Sequence, residues 1–278
     1  MLKHTKGPQG PFLLNKYSMF TSQPLRQDWA QPLPKYWLDN SPFKSHIMNA
    51  MGATFPTGER FFIDSVKPYK DRITDTKLLE DVKEFTKQEI WHSYAHQQYN
   101  DWVTSQGLPV DKIVNDNNQW FAWVKKKHSN RIQLAITVCL EHITAIMAAN
   151  GLRNRSFYRR MHPHFEEIWR WHNVEEVEHK AVTMDVWNAI NGKPKTLHLV
   201  MIFATIIFWY TTIKYTIILL HADKQLWKWR NVKDAWDILF SKNGMIRAGF
   251  KDWLDFFKKN YHPNDHDDTK LLNNYRKL

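Results

Sequence analysis

Glu89-Ile-Trp-His92 and Glu176-Val-Glu-His179 are the two stretches whose reading decides the fold. Each is a Glu-x-x-His pair, and each has a further glutamate upstream, Glu59 by 30 residues and Glu141 by 35. One pattern, Glu then Glu-x-x-His, is therefore written twice. Positions i and i+3 lie on one face of a helix, so a Glu and a His so spaced can grip one metal ion together. On four helices the doubled pattern describes a bundle core shared by two ions.

The neighbouring residues set the face. Leu78, Val82, Phe85, Glu89, His92, His96, Tyr99 and Val103 follow at steps of four and three, the core stripe of an amphipathic helix. Phe165, Ile168, His172, Glu176, His179, Val186 and Ile190 form a similar stripe. Shorter stripes carry Glu59 between Phe55 and Phe62, and Glu141 between Val138 and Ala145. All four carboxylates thus fall at buried registers. An unpartnered ionised group costs many kcal/mol in a low dielectric, and the stripes hold no basic partner except histidines. Metal cations are the natural counter-charge. Solvated helical glutamates are the bland alternative, and one Glu-x-x-His alone would not exclude it. Two copies on matching core registers argue against it.

The spacing predicts a first helix from Thr57 or Gly58 to Tyr69 and a second over Thr76–Ser105. A short helix, Asn117–Lys127, lies in the crossover that follows. A third runs over Asn130–Ala149, capped by Asn150-Gly151, and a fourth from Pro163 to Asn191-Gly192. The class is all-α: a four-helix bundle with a long crossover, plus additional C-terminal helices. Residues 1–50, with half of the chain's 12 prolines, read as an extended N-terminal arm. Residues 51–192 read as the dimetal bundle, and 193–278 as appended apolar and amphipathic helices. Met1 to Tyr17 lacks the apolar core of a secretory signal, and the lone Cys139 excludes an internal disulfide. Both fit a cytoplasmic protein, in contact with the inner face of the membrane if its apolar helix docks there.

The net charge is +11. No zinc finger, helix-turn-helix or RNA-binding signature accompanies it, so nucleic acid is not the expected partner. Leu197–Leu220 is a 24-residue run whose one charge is Lys214, flanked by Lys193, Lys195 and the Trp227–Arg230 cluster. It is long enough to cross a bilayer core, and tryptophans beside cations suit a membrane interface. Burial against the bundle is the equal alternative. Met245–Tyr261, with Ile246, Phe250, Trp253, Phe257 and Tyr261 on one face, reads as a docked or interfacial helix. His262 to Asp268 holds ligand-type residues, but its turn formers read as a loop.

Carboxylate and imidazole donors suit iron, with manganese or zinc as alternatives. In the simplest arrangement Glu89 and Glu176 bridge two ions, Glu59 and His92 hold one, and Glu141 and His179 the other. His172, one turn before Glu176, is either a further ligand or a partner that holds Glu176 in place. His96 and Glu175 are expected to support the ligands or line the cavity.

The doubled pattern resembles the ferritin-like di-iron carboxylate superfamily. The variant with His172 is similar to the p-aminobenzoate N-oxygenase type of di-iron enzyme. A longer resemblance, over about residues 50–265, is to a bacterial family of predicted metal-dependent hydrolases. It is carried by Phe55-Pro-Thr-Gly-Glu-Arg-Phe-Phe62, by Gln88-Glu-Ile-Trp-His92 with His96 and Asn100, and by Trp171-His-Asn-Val-Glu-Glu-Val-Glu-His-Lys180. The di-iron resemblance implies dioxygen activation and an electron donor, and the apolar C-terminal segment with the basic charge adds the expectation of a small hydrophobic, lipid-like substrate. The hydrolase resemblance implies water activated on the same two metals. Iron storage or ligand binding without catalysis is the third expectation.

Overall fold

The computed structural model describes residues 24–275, which are almost wholly helical, with a single isolated β-bridge between Leu38 and Met161. Helix α1 spans Pro42–Val66, α2 Thr76–Ser105, α3 Val110–Lys127 and α4 Asn130–Arg153. A single turn, α5 (Arg155–Tyr158), leads to α6 (Pro163–His179) and α7 (Val182–Ala189). Helices α8 (Pro194–Ala222), α9 (Arg230–Phe240), α10 (Met245–Asp255) and α11 (Thr269–Tyr275) complete the chain. The all-α expectation holds. The segment Met1 to Tyr17 lies outside the described residues.

Helix α1 starts 15 residues before the expected Thr57. Ser41 caps it, accepting a hydrogen bond from the Lys44 amide, and Pro42 occupies the first turn, where a missing N–H costs nothing. The helix continues through Pro56, just before the expected start at Thr57. Helix α3 likewise starts at Val110, directly after Pro109, rather than at Asn117. Helix α4 runs past the expected Asn150-Gly151 cap to Arg153. Gly151 serves close packing instead: a Cβ there would meet Asn173 Nδ2 on α6 at 2.8 Å. The expected fourth helix breaks in two after His179. Lys180, at the break, is drawn towards the C-terminal segment, bonding His266 O at 2.6 Å and Asp268 at 2.7 Å.

Helix α1 packs along α2 and α4 along α6, and the pairs meet through α1–α4 and α2–α6 contacts. Two apolar clusters result. One gathers Ile47, Met51, Tyr99, Phe165 and Ile168; the other Phe61, Val82, Phe85, Leu134 and Val138. The polar residues of the doubled motif lie in the seam between them: Glu59 follows Ala53 of the first cluster and precedes Phe61 of the second. Helix α8 lies outside this bundle, against α1 and α4. Helix α10 ends at Asp255, short of Tyr261, and docks through Gly249, whose Cα sits against Ile146 of α4.

Candidate metal centre

All seven expected donors come together. Three overlapping groups form, each with its donor atoms within 4.8 Å: Glu59, His92 and His172; Glu89, His92 and Glu176; Glu89, Glu141 and His179. Glu176 is central, with oxygens 3.3 Å from His172 Nε2, 3.6 Å from His92 Nδ1 and 3.7 Å from His179 Nε2. His179 Nε2 also lies 3.3 Å from Glu89 and 3.4 Å from Glu141. His172 sits at the Glu59 and His92 end rather than beside His179. The seven donors, His96 and Glu175 are all 5 % exposed or less.

Each histidine turns one ring nitrogen towards the carboxylates and the other to an outer partner. His92 Nε2 lies 3.1 Å from Glu175 Oε2. His172 Nδ1 lies 3.2 Å from His96 Nε2. His179 Nδ1 donates to Gln88 Oε1 at 3.0 Å, and Gln88 Nε2 donates in turn to Glu178 at 3.2 Å. Such partners orient metal-binding imidazoles and fix their tautomers. Aromatic rings brace the same three groups: Trp171 edge-on to His92, Phe55 stacked on His172, Phe85 edge-on to His179. His96 and Glu175 therefore stand behind the donors. Sequence reasoning missed Gln88 and Ser93, whose hydroxyl donates to Glu59 Oε2 at 2.8 Å. The signal for Gln88 was present: it precedes Glu89 as Glu175 precedes Glu176.

The donor set fits a cation. Both carboxylate oxygens of Glu89 and of Glu141 are buried without a hydrogen-bond donor, as are Glu59 Oε1, Glu176 Oε2 and His179 Nε2. Among the described residues, the ion pairs of Glu89, Glu141 and Glu176 run only to histidines. Burial raises Glu59 and Glu89 well above the usual carboxylate range. Burial also lifts Glu141 to about 7, against the pull of His179. At Glu176 burial acts in the same sense, but His172, His179 and His92 outweigh it and hold the carboxyl below its ordinary range. Burial pushes His92 and His172 down to about 3, leaving neutral imidazoles with lone pairs to donate. At His179 Glu141 and Glu176 overcome burial and raise the pKa well above the ordinary value. This is a site that attracts positive charge.

A second group, Asp252, Asp255 and His266, forms at the surface. It is already neutralised: Asp255 pairs with Lys258 at 2.6 Å and with His266 at 3.3 Å, and Asp252 with Arg153 at 3.2 Å. His142, beside Glu141, faces away, its ring against Phe256.

A cavity of about 890 Å³ reaches the centre, with Glu59, His172 and Glu176 among its lining residues. Its walls are mainly apolar, built from Phe55, Phe62, Ile136, Leu140, Ala204 and Phe208. A smaller cavity, about 230 Å³, shares Phe55, His172 and Phe208 with it.

An all-helical protein with buried glutamate–histidine clusters of metal-binding geometry is the class that fold and site define. The chain belongs to the family described as predicted metal-dependent hydrolases, whose model matches residues 22–267. Neither a curated protein nor a solved structure matches it significantly.

Proposed function

We propose that this protein is a binuclear metal enzyme that acts on an apolar substrate held in the large cavity. The observation that carries the reading is the meeting of that cavity with the donor cluster at Glu59, His172 and Glu176. Glu59, His92 and His172 would hold one ion, Glu89, Glu141 and His179 the other, with Glu176 between them. Bound iron, manganese or zinc would supply Lewis acidity, and iron or manganese also redox chemistry.

The protein's own residues do three things. Glu175, His96 and Gln88 orient the imidazoles. Phe55, Phe62 and Leu140 line an apolar approach that keeps water from a bound substrate. Glu141, which burial lifts above the ordinary carboxylate range, would be drawn into its ionised form by a bound cation, as ligation requires.

The family description supports hydrolysis better than the dioxygen chemistry expected from the ligand pattern, and hydrolysis of an apolar ester or amide is the first reading. Oxidation of an apolar substrate is the second. It is favoured by the donor set, two separate glutamates and two Glu-x-x-His pairs converging from four helices, the arrangement of di-iron and di-manganese carboxylate sites. Metal analysis of the purified protein, followed by assays of acyl esters and of unactivated acyl chains with and without oxygen, separates them. Ester cleavage by the zinc-loaded protein without oxygen supports hydrolysis. Oxygen consumption that needs iron and a reductant supports oxidation. Fewer than one tightly bound metal ion per chain under all loading conditions would sink both.

A further inference from the structure

We propose that the outer face formed by α8, α9 and α10 docks on an anionic lipid bilayer, and that the large cavity takes its substrate from that bilayer. The second half rests on the cavity being the substrate site; the first does not.

Among the described residues, two helices are long and apolar enough to cross a membrane, and they are used differently. The most apolar stretch of α4 is 72 % buried inside the bundle, whereas that of α8 is only 22 % buried. Leu197, Met201, Ala204 and Leu219 of α8 pack inwards on α1 and α4. Leu199, Ile202, Phe203, Ile206 and Tyr210 point out, the last 67 % exposed. Their steps of three and four make one continuous stripe. A helix so fixed along the bundle can lie in an interface but is not free to leave and span it.

Two neighbours extend the apolar face. Trp253 of α10 donates its indole N–H to Thr205 Oγ1 of α8 at 2.9 Å, which sets the exposed Phe250 and Leu254 beside the α8 stripe. Helix α9 packs on α10 and exposes Val232, Trp236 and Phe240, one turn apart each. Trp227 and Trp229, in the α8–α9 link, are 93 % and 77 % exposed. Exposed apolar patches of this extent mark an interaction site, and tryptophans on such a face favour the membrane–water boundary.

The charge pattern selects the occupant. Residues 193–261 carry 12 lysines and arginines against 5 aspartates, or +7 of the chain's +11. Every one of those aspartates is tied down. Asp223 binds Tyr36 and His46, Asp234 pairs with Arg230, and Asp237 with Lys44. Asp252 pairs with Arg153 and Asp255 with Lys258. The exposed cations Lys193, Lys195, Lys224, Lys228 and Lys233 form no ion pair with a carboxylate among the described residues. An apolar stripe rimmed by unneutralised cations and tryptophans is complementary to anionic lipid headgroups over acyl chains.

The cavity opens on the same face. Phe203, Ile207 and Tyr210 of α8 line it together with Trp123 of α3, and all four are exposed, while Glu59 and Glu176 line its buried end. An acyl chain can pass from the bilayer along α8 to the donor cluster without crossing water.

The test is flotation of the full chain with vesicles of phosphatidylcholine alone or of phosphatidylcholine with phosphatidylglycerol, with sedimentation to fix the oligomeric state. The monomer is expected to float with anionic vesicles, less with neutral ones, and less as salt rises. Lys228→Gln with Lys233→Gln should weaken partition about fivefold per cation removed. Leu199→Asn with Ile206→Asn, at exposed positions that do not line the cavity, should weaken it roughly tenfold per residue. Metal content should not change in either variant, and a protein that binds metal but never floats separates failure here from failure of the metal-enzyme reading. Absence of flotation on both vesicle types, or a stable dimer dissociated by the Leu199 and Ile206 changes, would overturn the proposal.

Discussion

Glu175 Oε2 lies 3.1 Å from His92 Nε2, across the contact between α6 and α2. The opposite pair, Gln88 Oε1 and His179 Nδ1, crosses the same contact in the other direction at 3.0 Å. In each copy of the motif the residue just before the glutamate thus reaches the histidine of the other copy. A helix turns about 100° per residue, so a side chain one position before an inward glutamate points sideways, towards the adjoining helix. The hydrogen bond between His179 and Gln88 and the close approach of Glu175 to His92 tie the two copies together. Gln88→Ala and Glu175→Ala should each lower metal affinity by roughly 10–100-fold, as losses of such partners do. Glu175→Gln, which keeps an oxygen there, should lose less. Competition titration against a chelator measures this, and unaltered affinity in both alanine variants would refute the cross-bracing.

The donor groups mark two ends, Glu59, His92 and His172 at one and Glu89, Glu141 and His179 at the other, with Glu176 between them. Glu141→Ala or His179→Ala should reduce metal content towards one ion per chain, and Glu59→Ala should do the same from the other end. Elemental analysis after loading reads the ratio. Two ions per chain in all three variants would remove these residues from the ligand set.

The convergence of the seven candidate side chains was legible in the sequence because a helical stripe of buried carboxylates has few physical explanations. What escaped was set by tertiary contacts. The break after His179 coincides with the bonds of Lys180 to His266 and Asp268, nearly 90 residues on, which no local pattern announces. Gly151 has the spacing of a helix cap, but its lack of a side chain serves the approach of Asn173. The early start of α1 was readable, since Ser41-Pro42 is a good helix beginning. Helices α4 and α8 are alike in apolarity, and only packing tells that one is inside and the other half out.

The cavity wall offers a test that leaves the donors alone. Ala204 of α8 is 8 % exposed and lines the large cavity beside Phe208. Ala204→Phe should narrow the passage and raise KM for long acyl substrates by roughly tenfold, the worth of one or two methylenes in a hydrophobic pocket. Short substrates should be little affected, and metal content should stay at the wild-type level. An equal effect on short and long substrates would mean that the cavity does not hold the chain.

Stability should fall with acidity through a group far from the metal centre. His46 of α1 is fully buried, with Nε2 2.9 Å from Asp223 Oδ2 and Nδ1 3.2 Å from Asn49 Nδ2. Burial, aided by Lys35, lowers its pKa despite the pull of Asp223. The unfolded chain therefore takes up a proton near pH 6.5 that the folded chain refuses. Below that pH the unfolded state binds more protons, so stability declines as pH falls, by up to about 1.4 kcal/mol per pH unit for one such group. Asp223 adds a lower window. Burial would raise its pKa, but Lys35, His46 and Tyr36 hold it below the ordinary value, so its contribution is present above about pH 4 and lost below it. Urea denaturation at pH 7, 6 and 5 should show the first decline, and His46→Gln should flatten it by up to one proton while costing about 1–3 kcal/mol at pH 7 through the broken buried hydrogen bonds. A slope unchanged by the substitution would assign the acid sensitivity to the other buried histidines alone.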